Sequence, residues 1–266
     1  MNLRRTAGSL LALSFLAANA IAGTETFDTG VAPLGYNFDL GGGGGMSSTL
    51  NGINIETFCD NFANNINEPW TYQVDVSSIT STSDLSQTRF GNVTSWTTVG
   101  LGTSNTQTTI NGASALARYQ MAGYLIAQYE IPDGATTSFT LSNGSSTNND
   151  SIQQAIWDIL DPTSSNYLLP NIGDATSIAN ALNFTATWYS GTSVGQRDAL
   201  LAGFMVISDP AMASCGNGPS CGFQEQMFID APSVPEPRGQ VLMIIGLLTV
   251  CWVARRRISN RSRAQI

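Results

Sequence analysis

The stretch DSIQQAIWDIL, residues 150–160, carries the clearest helical pattern in the chain. Its large apolar residues recur at spacings of three and four and therefore share one helix face: Ile152, Ile156, Ile159 and Leu160. Asp150 or Ser151 can cap the start of this helix. Asp161-Pro162 ends it, because a proline disfavours helical backbone in the residue before it.

Further elements are predicted on both sides of this helix. Residues 113–129 combine alanines with large apolar residues and indicate a largely buried helix, and residues 175–182 indicate another. Residues 195–205 indicate a short helix that leads into a strand. The alternating runs at 70–76 and 95–99 predict strands. Strands on both sides of a helical insert predict an α+β fold, with a β-rich, sandwich- or barrel-like extracellular domain.

The segment before these elements has a different composition. Residues 23–50 are rich in Gly, Thr and Ser and contain an uninterrupted glycine run at 41–45. No Gly-Lys-Ser/Thr sequence follows the run, so we interpret it as a flexible or irregular loop and not as a phosphate-binding one. We assign one compact domain to residues 51–230.

The charges are unevenly distributed, and every basic residue is an arginine. The chain has no lysine and no histidine, and its formal net charge is −8. Three arginines and all nineteen acids fall within residues 23–237, so that segment carries a net charge of −16. We expect a solvated acidic surface, which repels phosphate backbones and makes nucleic acid an unsuitable partner.

The missing residue types exclude several kinds of chemistry. Without histidine the chain lacks Ser-His-Asp and Cys-His catalysis, and without lysine it lacks Schiff-base chemistry. The candidate calcium ligands are scattered and form no Asp-x-Asp-x-Asp-Gly loop: Asp133, Asp150, Asp158 and Asp161. We expect neither an enzyme nor a metal or cofactor. A hydrolase that uses two carboxylates stays open, although no spacing identifies the pair.

The first 22 residues have the order of a secretory signal peptide. Arg4 and Arg5 give a positive start, residues 10–18 an apolar core, and Ala20-Ile21-Ala22 a small-residue cleavage site. The apolar run is shorter than the roughly 20 residues that span a bilayer. We therefore expect export of the chain, with cleavage after residue 22.

The C-terminal segment, residues 231–266, has three parts in a fixed order. They are Val234-Pro235-Glu236-Pro237, an uncharged apolar helix at about 240–254, and Arg255-Arg256-Arg257. Arginines directly after an apolar helix hold that end in the cytoplasm, so the preceding chain lies outside the inner membrane. An ordinary single-pass tail anchor is the alternative.

This tripartite arrangement resembles the PEP-CTERM sorting domain. The resemblance implies that an exosortase-type protease recognises Pro235, Glu236 and Pro237 and removes the tail. It also implies a transient inner-membrane intermediate, followed by delivery to the cell surface or to an extracellular or biofilm matrix.

Three of the four cysteines lie before the C-terminal segment. Cys215 and Cys221 flank a short turn that contains Gly and Pro, which favours a local disulfide in an oxidising compartment. Cys59 is then left over. It can be a buried apolar residue, or it can pair with one of the other two cysteines or with another molecule.

Two separate segments resemble the bacterial thioester domain family. They are residues 57–60, Thr-Phe-Cys-Asp, and residues 152–157, Ile-Gln-Gln-Ala-Ile-Trp. Residues 113–129 resemble the alanine-rich helix that the family has between its two motifs. The resemblance spans about residues 50–230, and Ile152 stands where the family has threonine.

The resemblance implies an internal thioester with Cys59 as the thiol and Gln153 as the acyl donor. The residues that it places as packing around the bond are Ala155, Ile156 and Trp157. In the alternative interpretation the same segment is an ordinary amphipathic helix, with its glutamines in solvent and its apolar residues in the core.

These features predict a surface or matrix protein that adheres through the thioester. Its partner would be a glycan or protein with a nucleophilic amine or hydroxyl. The alternative is a noncovalent structural or glycan-binding surface protein, in which exposed tryptophans such as Trp70, Trp96 or Trp188 stack on sugars. Burial of the rings distinguishes the two, because a stacking platform must be exposed.

Overall fold

The computed structural model describes residues 25–28, 45–60, 71–93, 109–129, 138–160, 174–210 and 225–229. All of these belong to one compact unit that ends at Ile229, and the second unit, residues 230–266, lies outside them. The predicted signal peptide, the strand at 95–99 and the sorting segment also lie outside them. Within the described ranges, no helix has the length and apolar character needed to cross a membrane.

Most of the strands in the described part of the chain form one antiparallel sheet. The strands are β1 (Glu25–Asp28), β2 (Gly45–Leu50), β3 (Ile53–Cys59), β4 (Thr71–Ser78), β5 (Phe139–Thr140), β6 (Ser146–Thr147), β7 (Phe204–Ser208) and β8 (Gln226–Ile229). Six of them close into a barrel in the order β1-β2-β3-β8-β7-β4, and β5 pairs with β6 in a separate hairpin. The Gly/Thr-rich segment 23–50 thus contributes β1 and β2 to the barrel, and Gly45 of its glycine run begins β2.

The helices lie between β4 and β7 in the sequence, together with the β5–β6 hairpin. They are α1 (Ala115–Ile126), α2 (Asn149–Leu160), α3 (Ala175–Gly191) and α4 (Val194–Leu201). The sheet and helices together confirm the predicted α+β class. Helix α3 continues well past its predicted end at residue 182, because Phe184, Thr185 and Ala186 keep facing the core.

Two apolar clusters lie on opposite faces of the closed sheet. The smaller cluster contains Val74, Ile207 and Phe228. The larger one contains Val206 and Met227, which are the sequence neighbours of Ile207 and Phe228 and therefore point the other way. The helices pack on this second face, so the main core lies between the sheet and the helical layer.

Helix α1 lies close to the sheet. Ser114 caps its start by accepting a hydrogen bond from the Ala117 amide. A Cβ on Gly123 would lie 2.7 Å from Cδ1 of Ile79, so glycine allows the close approach. The helix also carries Arg118, which has no exposed surface and donates to the carbonyl oxygens of Ile159 and Ile110 over 2.5 and 2.6 Å.

Helix α2 differs from its prediction in two respects. Its cap is Asn148, whose Oδ1 accepts a hydrogen bond from the Ser151 amide over 2.8 Å. The predicted caps, Asp150 and Ser151, lie inside the helix, because the side chain of Asn148 already reaches the third helical amide. In addition, every residue of the helix is buried, although the sequence predicts an amphipathic one.

Candidate functional site

Cys59 lies at the end of a barrel strand. It is the last residue of β3, pairs with Gln226 of β8, and has no exposed surface. The pairing continues one residue further, where the Asp60 amide donates to the Glu225 carbonyl oxygen over 3.4 Å. The backbone on both sides of the thiol is therefore tied into the sheet.

Gln153 approaches Cys59 from the helical layer. Because α2 begins at Asn149, Gln153 is the fifth residue of the helix and lies just beyond the first turn. A cap at Asp150 or Ser151, as predicted from the sequence, would place Gln153 within the first turn. The first intrahelical bond runs from the Ile152 amide to the Asn148 carbonyl oxygen over 3.0 Å. The cap therefore fixes the direction from which Gln153 reaches the sheet.

The two residues are in direct contact. The carboxamide Nε2 of Gln153 donates to the backbone carbonyl oxygen of Cys59 over 2.7 Å, and this bond joins residues 94 positions apart. One C–N bond of about 1.33 Å separates that nitrogen from the carboxamide carbon, which places the carbon within about 4 Å of the same oxygen. Neither residue has any exposed surface, so the contact is shielded from water.

Tyr129 holds the other end of the carboxamide. Its phenol donates to Oε1 of Gln153 over 2.8 Å, and its ring packs on Phe58 with the centroids 5.0 Å apart. Phe58 is buried, while Tyr129 is partly exposed. Nothing in the local sequence pattern distinguishes Tyr129 from the other apolar and aromatic residues of 113–129, so the sequence alone does not identify it.

The remaining residues of the second motif lie in the core. Ala155, Ile156 and Trp157 are almost completely buried. Gln154 is also buried, and its Nε2 donates to Oδ1 of Asp158 over 2.8 Å. The interpretation in which the glutamines are solvated is therefore wrong, since both side chains are buried.

A group of buried polar residues lies beside the end of β3. The Glu225 carboxylate accepts hydrogen bonds from the Tyr119 phenol and the Ser208 hydroxyl, each over 2.5 Å, and from the Arg89 amide over 2.6 Å. Asp60 and Glu225 have no exposed surface. No local sequence pattern identifies this pair, because the two acids are far apart in the chain.

Burial acts on both acids of this pair. It raises the pKa of Asp60 well above its usual range, and the nearby charge of Glu225 raises it further, while Arg89 opposes both effects. Burial also raises the pKa of Glu225, although the donors from Arg89, Ser208 and Tyr119 partly offset that rise. The protonated form is therefore favoured most strongly at Asp60.

The acidic side chains are less solvated than the composition predicts. Asp60, Asp150, Asp158 and Glu225 are all buried, since each lies at a packed strand end or within the buried helix α2. The expectation of a solvated acidic surface is therefore wrong for these four acids. Among the described residues, no three Asp, Glu or Cys side chains are grouped so that they could hold a metal ion.

A cavity of about 550 Å³ near the start of α1 is lined by residues that include no acid: Ser83, Leu85, Gly91, Val93 and residues 112–116. Neither acid of the buried pair lines it. A glycosidase needs two carboxyl groups on either side of a bound sugar. Asp60 and Glu225 are instead enclosed by protein.

Several of the predicted site residues lie outside the part of the chain that the structure describes. The residues outside the described ranges are Cys215, Cys221, the sorting motif 234–237, Arg255, Arg256 and Arg257, together with Trp70 and Trp96.

Comparison with protein-family models, curated proteins and solved structures returns no match. The interpretation of the site therefore depends on the chemistry of a thiol, a carboxamide and a phenol in a dry interface.

Proposed function

We propose that this protein is exported, processed at its C-terminal sorting signal, and attached to surface or matrix molecules through a thioester between Cys59 and Gln153. The observation that carries the proposal is the 2.7 Å hydrogen bond from Gln153 to the Cys59 carbonyl. It holds a carboxamide of the helical layer against a cysteine of the sheet.

The chemistry requires only these two side chains. The sulfur of Cys59 attacks the carboxamide carbon of Gln153, the C–N bond breaks, and the thiol proton leaves with the nitrogen as ammonia. Fixing both groups in one place removes much of the entropic barrier. The hydrogen bond holds the carboxamide against the backbone of the same residue that carries the sulfur.

Burial lets the thioester react with a partner nucleophile in preference to water. A thioester enclosed by protein is protected from water until a suitable nucleophile reaches it. The chain has no lysine, so no lysine amine of its own competes for the acyl group. An amine or hydroxyl of a partner would then form an amide or ester with Gln153 and release the thiol of Cys59.

Intact mass of the exported chain, before and after treatment with methylamine, tests the proposal. We expect a mass that is one ammonia below the sequence mass, which methylamine raises by the mass of one methylamine. The shift on treatment does not depend on where the ends are processed. An unchanged mass, together with a Cys59 thiol that reacts with an alkylating reagent after unfolding, would contradict the thioester.

Three variants make the test specific. Cys59→Ala and Gln153→Ala should each abolish the methylamine shift. Gln154→Ala is the matched control, because Gln154 is the next residue of the same buried helix but bonds to Asp158. It should keep the shift if it folds.

A noncovalent glycan-binding function is the second candidate. Trp188 is partly exposed and stacks on Tyr124, with the ring centroids 4.0 Å apart and an interplanar angle of 7°. Stacked aromatic rings with an accessible face suit a sugar ring. In this case Trp188→Ala would abolish retention on matrix polysaccharide, and Cys59→Ala would not change it.

A further inference from the structure

The geometry points to Tyr129 as a catalytic residue of the thioester, the group that stabilises negative charge on the Gln153 carbonyl oxygen both when the bond forms and when a nucleophile opens it. This inference rests on the proposed function. It is carried by the 2.8 Å hydrogen bond from the Tyr129 phenol to Oε1 of Gln153.

The bond lies at the atom where charge develops. When the sulfur of Cys59 adds to the carboxamide carbon, the C=O electrons move onto Oε1 before the C–N bond breaks and ammonia leaves. A donor already in place at that oxygen lowers the barrier without reorganisation. Among the described residues, Tyr129 provides the only hydrogen bond to that oxygen.

The two hydrogen bonds of the carboxamide have different fates. The bond from Nε2 to the Cys59 carbonyl is lost when the nitrogen leaves as ammonia. The bond from Tyr129 is to the oxygen, which stays in the thioester. Tyr129 therefore still polarises the acyl group when an amine attacks it, and the sulfur then leaves as the thiol of Cys59.

Tyr129 is held in place before the reaction. It follows the end of α1, where the amides of Ala127, Gln128 and Tyr129 donate in turn to Gly123, Leu125 and Ile126. Its ring lies against Phe58 at a 31° tilt. Because Phe58 immediately precedes Cys59, the strand that carries the nucleophile also positions the phenol.

Tyr129 also marks the approach for the partner. Cys59 and Gln153 have no exposed surface, whereas Tyr129 is partly exposed. A nucleophile that reaches the acyl carbon along Tyr129 passes the phenol first. The Tyr129 phenol thus lies between solvent and the buried contact of Cys59 with Gln153.

The test compares Tyr129→Phe with Tyr124→Phe in the full chain. Both variants remove one partly buried phenol and keep a ring, and Tyr124 stacks on Trp188 away from the carboxamide contacts. The thioester content is measured by intact mass, and the second-order rate of opening by methylamine is measured from the release of the Cys59 thiol. Thermal unfolding verifies that each variant folds.

We expect opening of the Tyr129→Phe thioester to be slower by about 100-fold, as for loss of one oxyanion donor, with unchanged rates for Tyr124→Phe. A folded Tyr129→Phe chain that forms no thioester would also support the assignment. Equal rates would overturn it, and so would faster opening, which would mean that the Tyr129 hydroxyl hinders the attack on the acyl carbon. If the unsubstituted chain forms no thioester, the proposed function fails together with this role.

Discussion

The phenol of Tyr119, on α1, donates a 2.5 Å hydrogen bond to Oε1 of Glu225, directly before β8. The bond connects the helical layer to the strand that pairs with the strand of Cys59. Burial and the charge of Glu225 raise the pKa of Tyr119 well above its usual value, so the phenol stays a donor. The phenol oxygen of Tyr119 also accepts a hydrogen bond from the Phe90 amide over 3.2 Å.

Tyr119→Phe should therefore destabilise the fold. Loss of a hydrogen bond to a buried charged group costs about 1.5–3 kcal/mol. Urea unfolding measures the change. Tyr124→Phe is the matched control and should stay within about 0.5 kcal/mol of the unsubstituted chain, because its phenol is partly exposed. If both variants lose a similar amount of unfolding free energy, the hydrogen bond to Glu225 contributes no more to stability than the partly exposed phenol of Tyr124.

Asp60 should make the protein less stable as the pH rises. Its folded pKa is raised, so above about pH 4 the unfolded chain ionises Asp60 while the folded chain keeps it protonated beside Glu225 and Arg89. The resulting loss of stability grows until the pH reaches the folded pKa. Asp60→Asn should remove this dependence and increase the unfolding free energy at neutral pH relative to acid pH.

Urea unfolding at several pH values measures the Asp60 effect. Asp84→Asn is a control of opposite sign, because the Ser86 amide lowers the pKa of the exposed Asp84. Its contribution is present at neutral pH and lost as the pH falls through the folded pKa. An Asp60→Asn chain with an unchanged pH profile would argue against a raised pKa of Asp60.

Gly123→Ala should destabilise the fold, because it crowds the contact between α1 and Ile79, which directly follows β4. The added Cβ would lie 2.7 Å from Cδ1 of Ile79, and overpacking of this kind costs about 1–3 kcal/mol. Ile79→Val deletes that atom, and the next nearest contacts of the Cβ are at 3.4 and 3.5 Å. The double variant should recover most of the loss, as a double-mutant cycle by urea unfolding would show. Additive effects would contradict the clash.

Asn148→Ala should weaken the helix that carries Gln153. Loss of an N-cap costs about 1 kcal/mol, and the carboxamide should become less well held against Cys59. Asn148→Asp keeps an acceptor for the Ser151 amide and should preserve both stability and thioester content. Unfolding and intact mass test these outcomes together. Equal behaviour of the two variants would exclude a capping role.

The sorting motif predicts a processing defect. Glu236→Ala should leave the C-terminal tail attached, because the proposed protease would no longer recognise Pro235, Glu236 and Pro237. A C-terminal epitope tag would then stay with the membrane fraction, whereas it is removed from the unsubstituted chain. Asp84→Asn changes an exposed acid outside the motif and should be processed normally. Retention of the tag in every case would favour a permanent tail anchor.

The sequence predicts the helices well, because their apolar residues recur with helical spacing. It misplaces the cap of α2, since Asn148, Asn149 and Asp150 are all suitable caps and only the folded backbone selects one. It assigns no strand to β1 or β2, whose Gly- and Thr-rich segment lacks a clear alternating apolar pattern.

Part of the candidate site can also be predicted from the sequence. Cys59 and Gln153 lie in the two motifs that resemble the thioester domain family, and in the structure the two residues are in contact. Asp60 with Glu225, and Tyr129 with Gln153, depend on contacts between distant parts of the chain. No local pattern could identify them, because the chemistry arises only when the sheet and the helical layer meet.

The order of strands has a mechanical consequence for a tethered protein. β8 is the last described strand before residue 230, so tension applied through the C-terminal part of the chain enters the domain there. β8 is hydrogen-bonded directly to β3, which ends at Cys59. A pulling force on β8 therefore reaches the proposed crosslink directly through the β3–β8 pair, while the β7–β8 pair shares the load.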